Sequence, residues 1–183
     1  MYHSGNKLID PSLLFEKTQL QPGMHVAVFG TGRTGHMVFP AAMSVGPKGV
    51  VYAVDILKEL LAVVAKRAAL EGLGNITTVW GDVERVGTTA IPGKTLDIVF
   101  LVNVLVRIHD RHAALEEAAR LLKEKGRILV VDWSKDGVPI APNPEKFVDF
   151  TDIEAWANSR SFVVEQEFSA GRYHKGTVLY RHV

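Results

Sequence analysis

The chain of 183 residues has no cysteine. Disulfides, thiolate nucleophiles and cysteine-based zinc sites are excluded together. It also lacks an excess of either charge: 21 Lys and Arg stand against 20 Asp and Glu, for a net charge of +1. A nucleic-acid groove needs a clustered basic field, and this balance gives it no support. Long apolar runs are missing as well. The opening stretch, MYHSGNKLIDPSLLF, has no cationic segment leading into an apolar one. Neither a signal peptide nor a membrane span is expected, and the expected location is the cytoplasm. No internal repeat or low-complexity tract interrupts the chain.

What is present is ordinary for a globular protein, with 47% hydrophobic residues. A chain of this length buries roughly 70% of its unfolded surface and folds without staples. One domain over residues 1–183 is expected, opened by a segment and short helix over 1–22 that could act as a lid. Asp10 and Pro11 read as the N-cap and first position of that helix. Five apolar runs read as buried strands: HVAVF, VVYAV, NITTVW, LDIVFLV and RILVVDW. Helices lie between them: one from the glycine turn to about Val45, an amphipathic one closed by Gly72 or Gly74, and one capped by Asp110 and ended by Gly126. After the Pro-rich loop GVPIAPNP comes a helix near 151–159. The end reads as two strands around a turn holding two glycines, and these must be antiparallel because their connection is short. The alternation predicts an α/β, Rossmann-like, doubly wound sheet. It is mostly parallel, has helices on both faces and ends in an antiparallel hairpin.

The stretch VFGTGRTG carries the chemistry. Gly30, Gly32 and Gly35, with Thr31 between the first two, allow a tight turn and close approach of a ligand to the backbone. Free N–H groups at the following helix start suit an anionic or polar group. Asp55 ends the next strand 20 positions after Gly35, where a carboxylate can accept both hydroxyls of a ribose. Spacing and acid together match the dinucleotide pattern. The competing reading is a plain tight turn with Asp55 capping a helix.

From about Leu8 to Tyr180 the chain resembles the class I S-adenosylmethionine-dependent methyltransferases, and most of all their small type 11, quinone-biosynthesis-like branch. VAVFGTGRTG resembles that family's first motif, VYAVDI its second and Gly81-Asp82 its third. LDIVFLVNVLVRIHD is similar to its fourth strand and the segment after it, and AARLLKEKGRILVVDW to the helix and strand beyond. The resemblance implies a seven-stranded sheet and S-adenosyl-L-methionine as cofactor. It implies that Gly30 to Gly35 hold the amino-acid end, that Asp55 with Ile56 holds the ribose side, and that Asp82 and the Val83 N–H meet the adenine. Asn103 would lie beside the methionine part, through its backbone carbonyl. Two positions depart from the family pattern. Val28 stands where an acid is usual, and Gly35 serves where the third glycine commonly falls at the place of Thr34. Both departures move the loop toward the dinucleotide pattern.

Methyl transfer from a sulfonium is an in-line displacement that needs alignment and exclusion of water, and a base only if the acceptor must lose a proton early. Candidates lie just after strands: Asp132 and Trp133 behind the fifth, and Tyr173 and His174 in the turn behind the sixth. Each has a plain alternative: Asp132 as a cap, Trp133 as packing, His174 as a solvated turn residue. His109 and His112 are spaced as a metal pair could be, but no third ligand is placed, so no metal is expected. His36 opens the helix behind the loop and could line the pocket, and Tyr2, His3 and Lys7 could close over it. The expected partner is a small-molecule acceptor, with no nucleic acid or membrane. Acceptor chemistry that relies on cysteines, such as arsenic methylation, is excluded. The short insert after the fifth strand implies a small open pocket, or one completed by a second subunit in a homodimer. Two alternatives stay open: an NAD(P)-dependent oxidoreductase, and a non-catalytic cofactor-binding module.

Overall fold

The apolar runs become strands whose side chains alternate between two faces of one sheet, as a period of two requires. A computed structural model describes residues 9–134, 143 and 146–182. The Pro-rich loop, except Asn143, and Tyr2, His3 and Lys7 lie outside the described residues. The strands are β1 (His25–Phe29), β2 (Val50–Asp55), β3 (Ile76–Trp80), β4 (Leu96–Val102), β5 (Leu122–Trp133), β6 (Phe162–Ser169) and β7 (His174–Arg181). They form one seven-stranded sheet in the order β3-β2-β1-β4-β5-β7-β6. The first five pair in parallel, and β7 pairs antiparallel with both β5 and β6.

The helices are α1 (Pro11–Lys17), α2 (Val38–Val45), α3 (Lys58–Leu70), α4 (Arg111–Leu121) and α5 (Phe150–Ser159). Val26, Val28, Ala53, Phe100 and Val131 pack on one face with Leu14 of α1, Val38 of α2 and Val64 of α3. Ala27, Phe29, Val99, Leu101 and Val130 pack on the other with Leu115 of α4 and Trp156 of α5. Full burial of each large side chain contributes about 1.5–3 kcal/mol, which makes this double-faced core the main source of stability. Strand order reverses between β1 and β4, and open sheets of this kind bind ligands beyond the carboxyl ends of the strands at that reversal.

Three local expectations are corrected. The helix behind the glycine turn begins at Val38, not directly after Gly35, because residues 31–37 form irregular turns. Pro40 is its third residue, where a missing N–H costs little. Helix α4 ends at Leu121, well before Gly126. The N–H groups of Lys94 and Thr95 take the carbonyls of Arg120 and Leu121, so the connection before β4 captures the helix end. The turn before β7 holds one glycine, Gly171, because Gly176 lies inside the strand. Other signals match: Asp10 accepts from the Ser12 N–H at 2.9 Å with Pro11 next to it, and Asp110 accepts from the Ala113 N–H.

Candidate active site

The glycine loop leaves β1 at the reversal of the sheet. The Gly30 N–H donates to the Val54 carbonyl at 2.8 Å, which fixes the start of the loop to the end of β2. Gly30 has φ +70° and Gly35 φ +59°, a region that L side chains rarely adopt. A Cβ on Gly30 would lie 3.0 Å from Val104, and one on Gly35 would overlap the Phe39 ring. The position of Gly35 therefore follows from α2, whose Phe39 fills the space behind it. The Arg67 guanidinium stacks 3.8 Å over that ring and donates to the Thr34 carbonyl at 2.9 Å. Residues from α2 and α3 thus brace the back of the loop. Arg67 also pairs with Glu71 one turn on at 2.6 Å, but nothing local in the sequence marks its role at the loop, since Phe39 and Thr34 are 28 and 33 positions away.

Asp55 ends β2 and is 8% exposed. Its Oδ2 accepts from the Thr31 hydroxyl at 3.1 Å and its Oδ1 from the Leu57 N–H at 3.0 Å. Asp55 therefore orders the entry to α3 and also reaches the glycine loop. Each carboxylate oxygen keeps further acceptor capacity. Ile56 follows with its side chain exposed, and its carbonyl accepts from the Trp80 indole at 3.0 Å. Beyond β3, Asp82 accepts from the Glu84 N–H at 3.0 Å, with Arg85 at 3.5 Å, while Val83 packs half-buried against the core.

The β1–β4 register pairs Phe29 with Leu101, which carries Asn103 to the level of Thr31. Asn103 has φ +56°, and its N–H donates to the Val131 carbonyl at 2.8 Å. Its side-chain Oδ1 is buried and has no hydrogen-bond partner. Such an orphan costs about 1–3 kcal/mol unless something satisfies it. These groups suit an adenosyl amino acid: an acid for two hydroxyls, an acid for an exocyclic amine, open glycine backbone for the amino-acid end, and an unfilled acceptor at Asn103. Val28 does not join them. It is 2% exposed and packs in the core against α2.

On the other side of the reversal stand Asp132 and Trp133, the last two residues of β5 rather than its followers. Asp132 is fully buried, and its carboxylate accepts from the Val106 N–H at 3.1 Å and from the Trp133 N–H at 2.9 Å. Burial raises its pKa to about 6, against those two bonds and the nearby Arg111 charge. His174 is not a solvated turn residue. It opens β7, pairs with Trp133 and is 2% exposed. Its ring lies 4.4 Å from the Trp133 ring, neither ring nitrogen has a partner, and burial pushes its pKa down. Tyr173 stacks on Trp133 at 6.5 Å. The structure therefore gathers Asp132, Trp133, Tyr173 and His174 at one end of the sheet. His36 donates from Nε2 to the Ile9 carbonyl, 3.1 Å away, and burial lowers its pKa.

His109 and His112 do not make a metal pair with a third ligand. His112 binds Asp152 at 2.9 Å, and among the described residues no group of three His, Cys, Asp or Glu could hold an ion. Instead they line a cleft of about 440 Å³ with Val106, Arg107, Arg111 and Lys146. One of these, Val106, is the residue that donates to Asp132.

A family model described as a methyltransferase domain matches residues 20–167. Over 126 residues the chain is 32% identical to the ubiquinone/menaquinone biosynthesis C-methyltransferase UbiE of Ectopseudomonas mendocina, covering 68% of this chain and 48% of that protein. The chain spans about half the length, or less, of the curated relatives it matches. Its fold superposes on a SAM dependent methyltransferase from Aquifex aeolicus with a TM-score of 0.87 at 24% identity, covering 98% of this chain and 93% of that one. A Sulfolobus solfataricus structure assigned to the type 11 methyltransferases gives a TM-score of 0.71 at 26% identity, over 96% and 94% of the two chains. Family membership settles which of the two cofactors compatible with the glycine spacing applies: the chain belongs to the type 11 branch of the class I S-adenosylmethionine-dependent methyltransferases.

Proposed function

We propose that the protein transfers a methyl group from S-adenosyl-L-methionine to a small-molecule acceptor by in-line displacement. The observation that carries this reading is the linked pair Thr31–Asp55 at the reversal of the sheet, beside the unsatisfied oxygen of Asn103. Bound there, the cofactor supplies a methyl group on a sulfonium. Gly30, Gly32 and Gly35 give the backbone room for its amino-acid end. Asp55 uses its free lone pairs for the ribose hydroxyls, with Ile56 flanking. Asp82 accepts from the adenine amine, and the Val83 N–H lies next to it. Asn103 faces the methionine part.

The acceptor side is built from buried polar groups. Asp132, with a pKa of about 6, is a carboxylate at neutral pH and a stronger base than an ordinary aspartate. It suits an acceptor that must shed a proton, while His174 and Tyr173 orient the acceptor beside Trp133. An acceptor that attacks without losing a proton needs only the alignment and the dry walls.

The reading also places the chain as one domain, working in the cytoplasm, with a second copy closing the acceptor side in a homodimer. Size-exclusion chromatography with light scattering distinguishes that from an open monomer. Among the described residues no helix is long and apolar enough to cross a membrane. The direct test of function is a melting experiment. S-adenosylhomocysteine raises the melting temperature more than NAD or NADP at equal concentration, by mass action worth about 2.7 kcal/mol at one hundred times its dissociation constant. A rise with NAD alone overturns the reading. Turnover on an acceptor panel then separates an enzyme from a binding module.

A further inference from the structure

The cleft between the end of β4, the start of α4 and the approach to α5 is lined by Arg107, Arg111 and Lys146 together with the acids Asp110 and Asp152. Arg111 donates to three backbone carbonyls, those of Leu105 at 3.0 Å, Phe147 at 3.2 Å and Lys146 at 2.6 Å, so its charge is held in place by backbone, and it acts on the carboxylates of Asp132 and Asp149 without a direct ion pair. Arg107 and Lys146 are exposed on the same cleft, and neither makes an ion pair among the described residues. The acids nearby are committed elsewhere. Asp110 caps α4, Asp149 caps α5 through Thr151, Asp152 binds His112, and Glu84 accepts the N–H groups of His109 and Asp110. Arg111 also occupies the first turn of α4, which contains no acid, where the helix dipole disfavours a cation. A counter-charge in the cleft would relieve this arrangement.

The cleft volume of about 440 Å³ suits a small ligand. The cleft borders the acceptor side, because its lining residue Val106 donates its N–H to the Asp132 carboxylate, and Asp132 is one residue beyond the Val102–Val131 pair, level with Asn103. A molecule seated among Arg107, Arg111 and Lys146 therefore lies against Val106, the residue bonded to Asp132.

We propose that this cleft takes the oxyanion, carboxylate or phosphate, of an anionic acceptor and thereby selects acceptors that carry one. The inference rests on the methyltransferase reading for the word acceptor, and on the cleft alone for the anion. Arg111 fixes the backbone of the cleft, while Arg107 and Lys146 supply charge with no structural duty.

The test titrates benzoate, phenyl phosphate and neutral benzamide into the protein by calorimetry, with and without saturating S-adenosylhomocysteine. At least one of the two anions binds saturably, and benzamide binds at least tenfold more weakly. Which of the two binds better identifies the oxyanion. Arg107→Gln and Lys146→Gln each weaken anion binding by about three- to tenfold, and the double variant weakens it further. Both leave S-adenosylhomocysteine affinity and the melting temperature of the free protein unchanged, which a structural role would not. Equal binding of benzamide and the anions overturns the proposal, as does undiminished anion binding by the double variant or the absence of saturable anion binding. Failure of S-adenosylhomocysteine to bind overturns the methyltransferase reading instead. The anion result on the free protein then stands by itself as evidence for or against the cleft.

Discussion

Asp55 and His174 both stand at the carboxyl edge of the sheet, and both are more than nine-tenths buried. Their surroundings differ. Asp55 ends β2 with both oxygens already engaged, one by the Thr31 hydroxyl and one by the Leu57 N–H. His174 opens β7 with neither nitrogen engaged, and Thr177, three residues on, also has a buried hydroxyl without a partner. The half of the edge over β1 and β2 is assembled in advance. The half over β5 and β7 carries polar groups whose partners are not supplied by the described residues. A cofactor common to a whole family suits the first arrangement, and an acceptor particular to one enzyme suits the second.

The largest effect expected from this comparison comes from putting a charge where the prepared half keeps none. Val28→Asp buries an unpaired carboxylate between Ala53 and Phe100 and against α2, so the variant loses several kcal/mol of stability in a denaturant melt. A folded, stable variant that binds S-adenosylhomocysteine more tightly would mean that the position opens onto the cofactor after all. Next comes Asp55→Ala. It weakens S-adenosylhomocysteine binding by roughly 1.5–4 kcal/mol, about ten- to a thousandfold, with Asp55→Asn between it and the wild type. Calorimetry on the three proteins, with circular dichroism as the control for folding, reads it. Equal affinities would reduce Asp55 to a cap of α3.

The unprepared half is probed through pH. Asp132 has a folded pKa of about 6, above the unfolded value near 3.9, so the folded chain binds more protons between about pH 4 and 6. Its contribution makes stability fall as pH rises through that window. His174 has a folded pKa below 6.5, so the unfolded chain binds more protons there, and its contribution makes stability rise as pH climbs toward 6.5. The two slopes oppose each other in the wild type. Asp132→Asn leaves the rise and His174→Phe leaves the fall, the fall being on the order of 1–3 kcal/mol across urea melts between about pH 4.5 and 6.5. Parallel profiles in all three proteins would show that neither group's pKa differs between the folded and unfolded chain. The smallest effect concerns the brace behind the loop. Arg67→Met, which keeps the contact with Phe39 and loses the bond to the Thr34 carbonyl, lowers S-adenosylhomocysteine affinity by about 0.5–1.5 kcal/mol, with Arg67→Lys nearer the wild type.

What could be read in advance follows the same division. The strands, the glycine loop, Asp55 and Gly81-Asp82 are marked by local signals: apolar runs, turn glycines and an acid at a strand end. The start of α2 at Val38 was not legible, because it depends on Phe39 packing under Gly35. Nor was the end of α4 at Leu121. The periodic run through Lys125 reads as more helix, but the Lys94 and Thr95 N–H groups take its carbonyls, and the Arg181 guanidinium takes those of Ala119 and Leu122. The burial of His174 depends on its pairing with Trp133, 41 positions earlier. The grouping of Arg107, Arg111 and Lys146 in one cleft is invisible in a chain with net charge +1, since it arises from the packing of separate segments.

Glu117 in α4 is fully buried. Burial pushes its carboxyl up, but the Arg120 guanidinium, the Thr89 hydroxyl and the Gly87 N–H outweigh that and hold it below its ordinary value. Gly87 donates at 2.6 Å, and Arg120 reaches on to the carbonyls of Thr89 and Ile91. The connection from Gly81 to Thr95 has no helix or strand of its own, yet its middle is bonded into a helix. Amides in a bare loop exchange with solvent through cheap local openings, whereas those bonded into a core element open only with it. The Gly87 amide should therefore exchange on the timescale of α4. The ribbon that carries Asp82 and Val83 inherits rigidity from a helix that follows β4 in the chain, and it needs no regular structure of its own to present them.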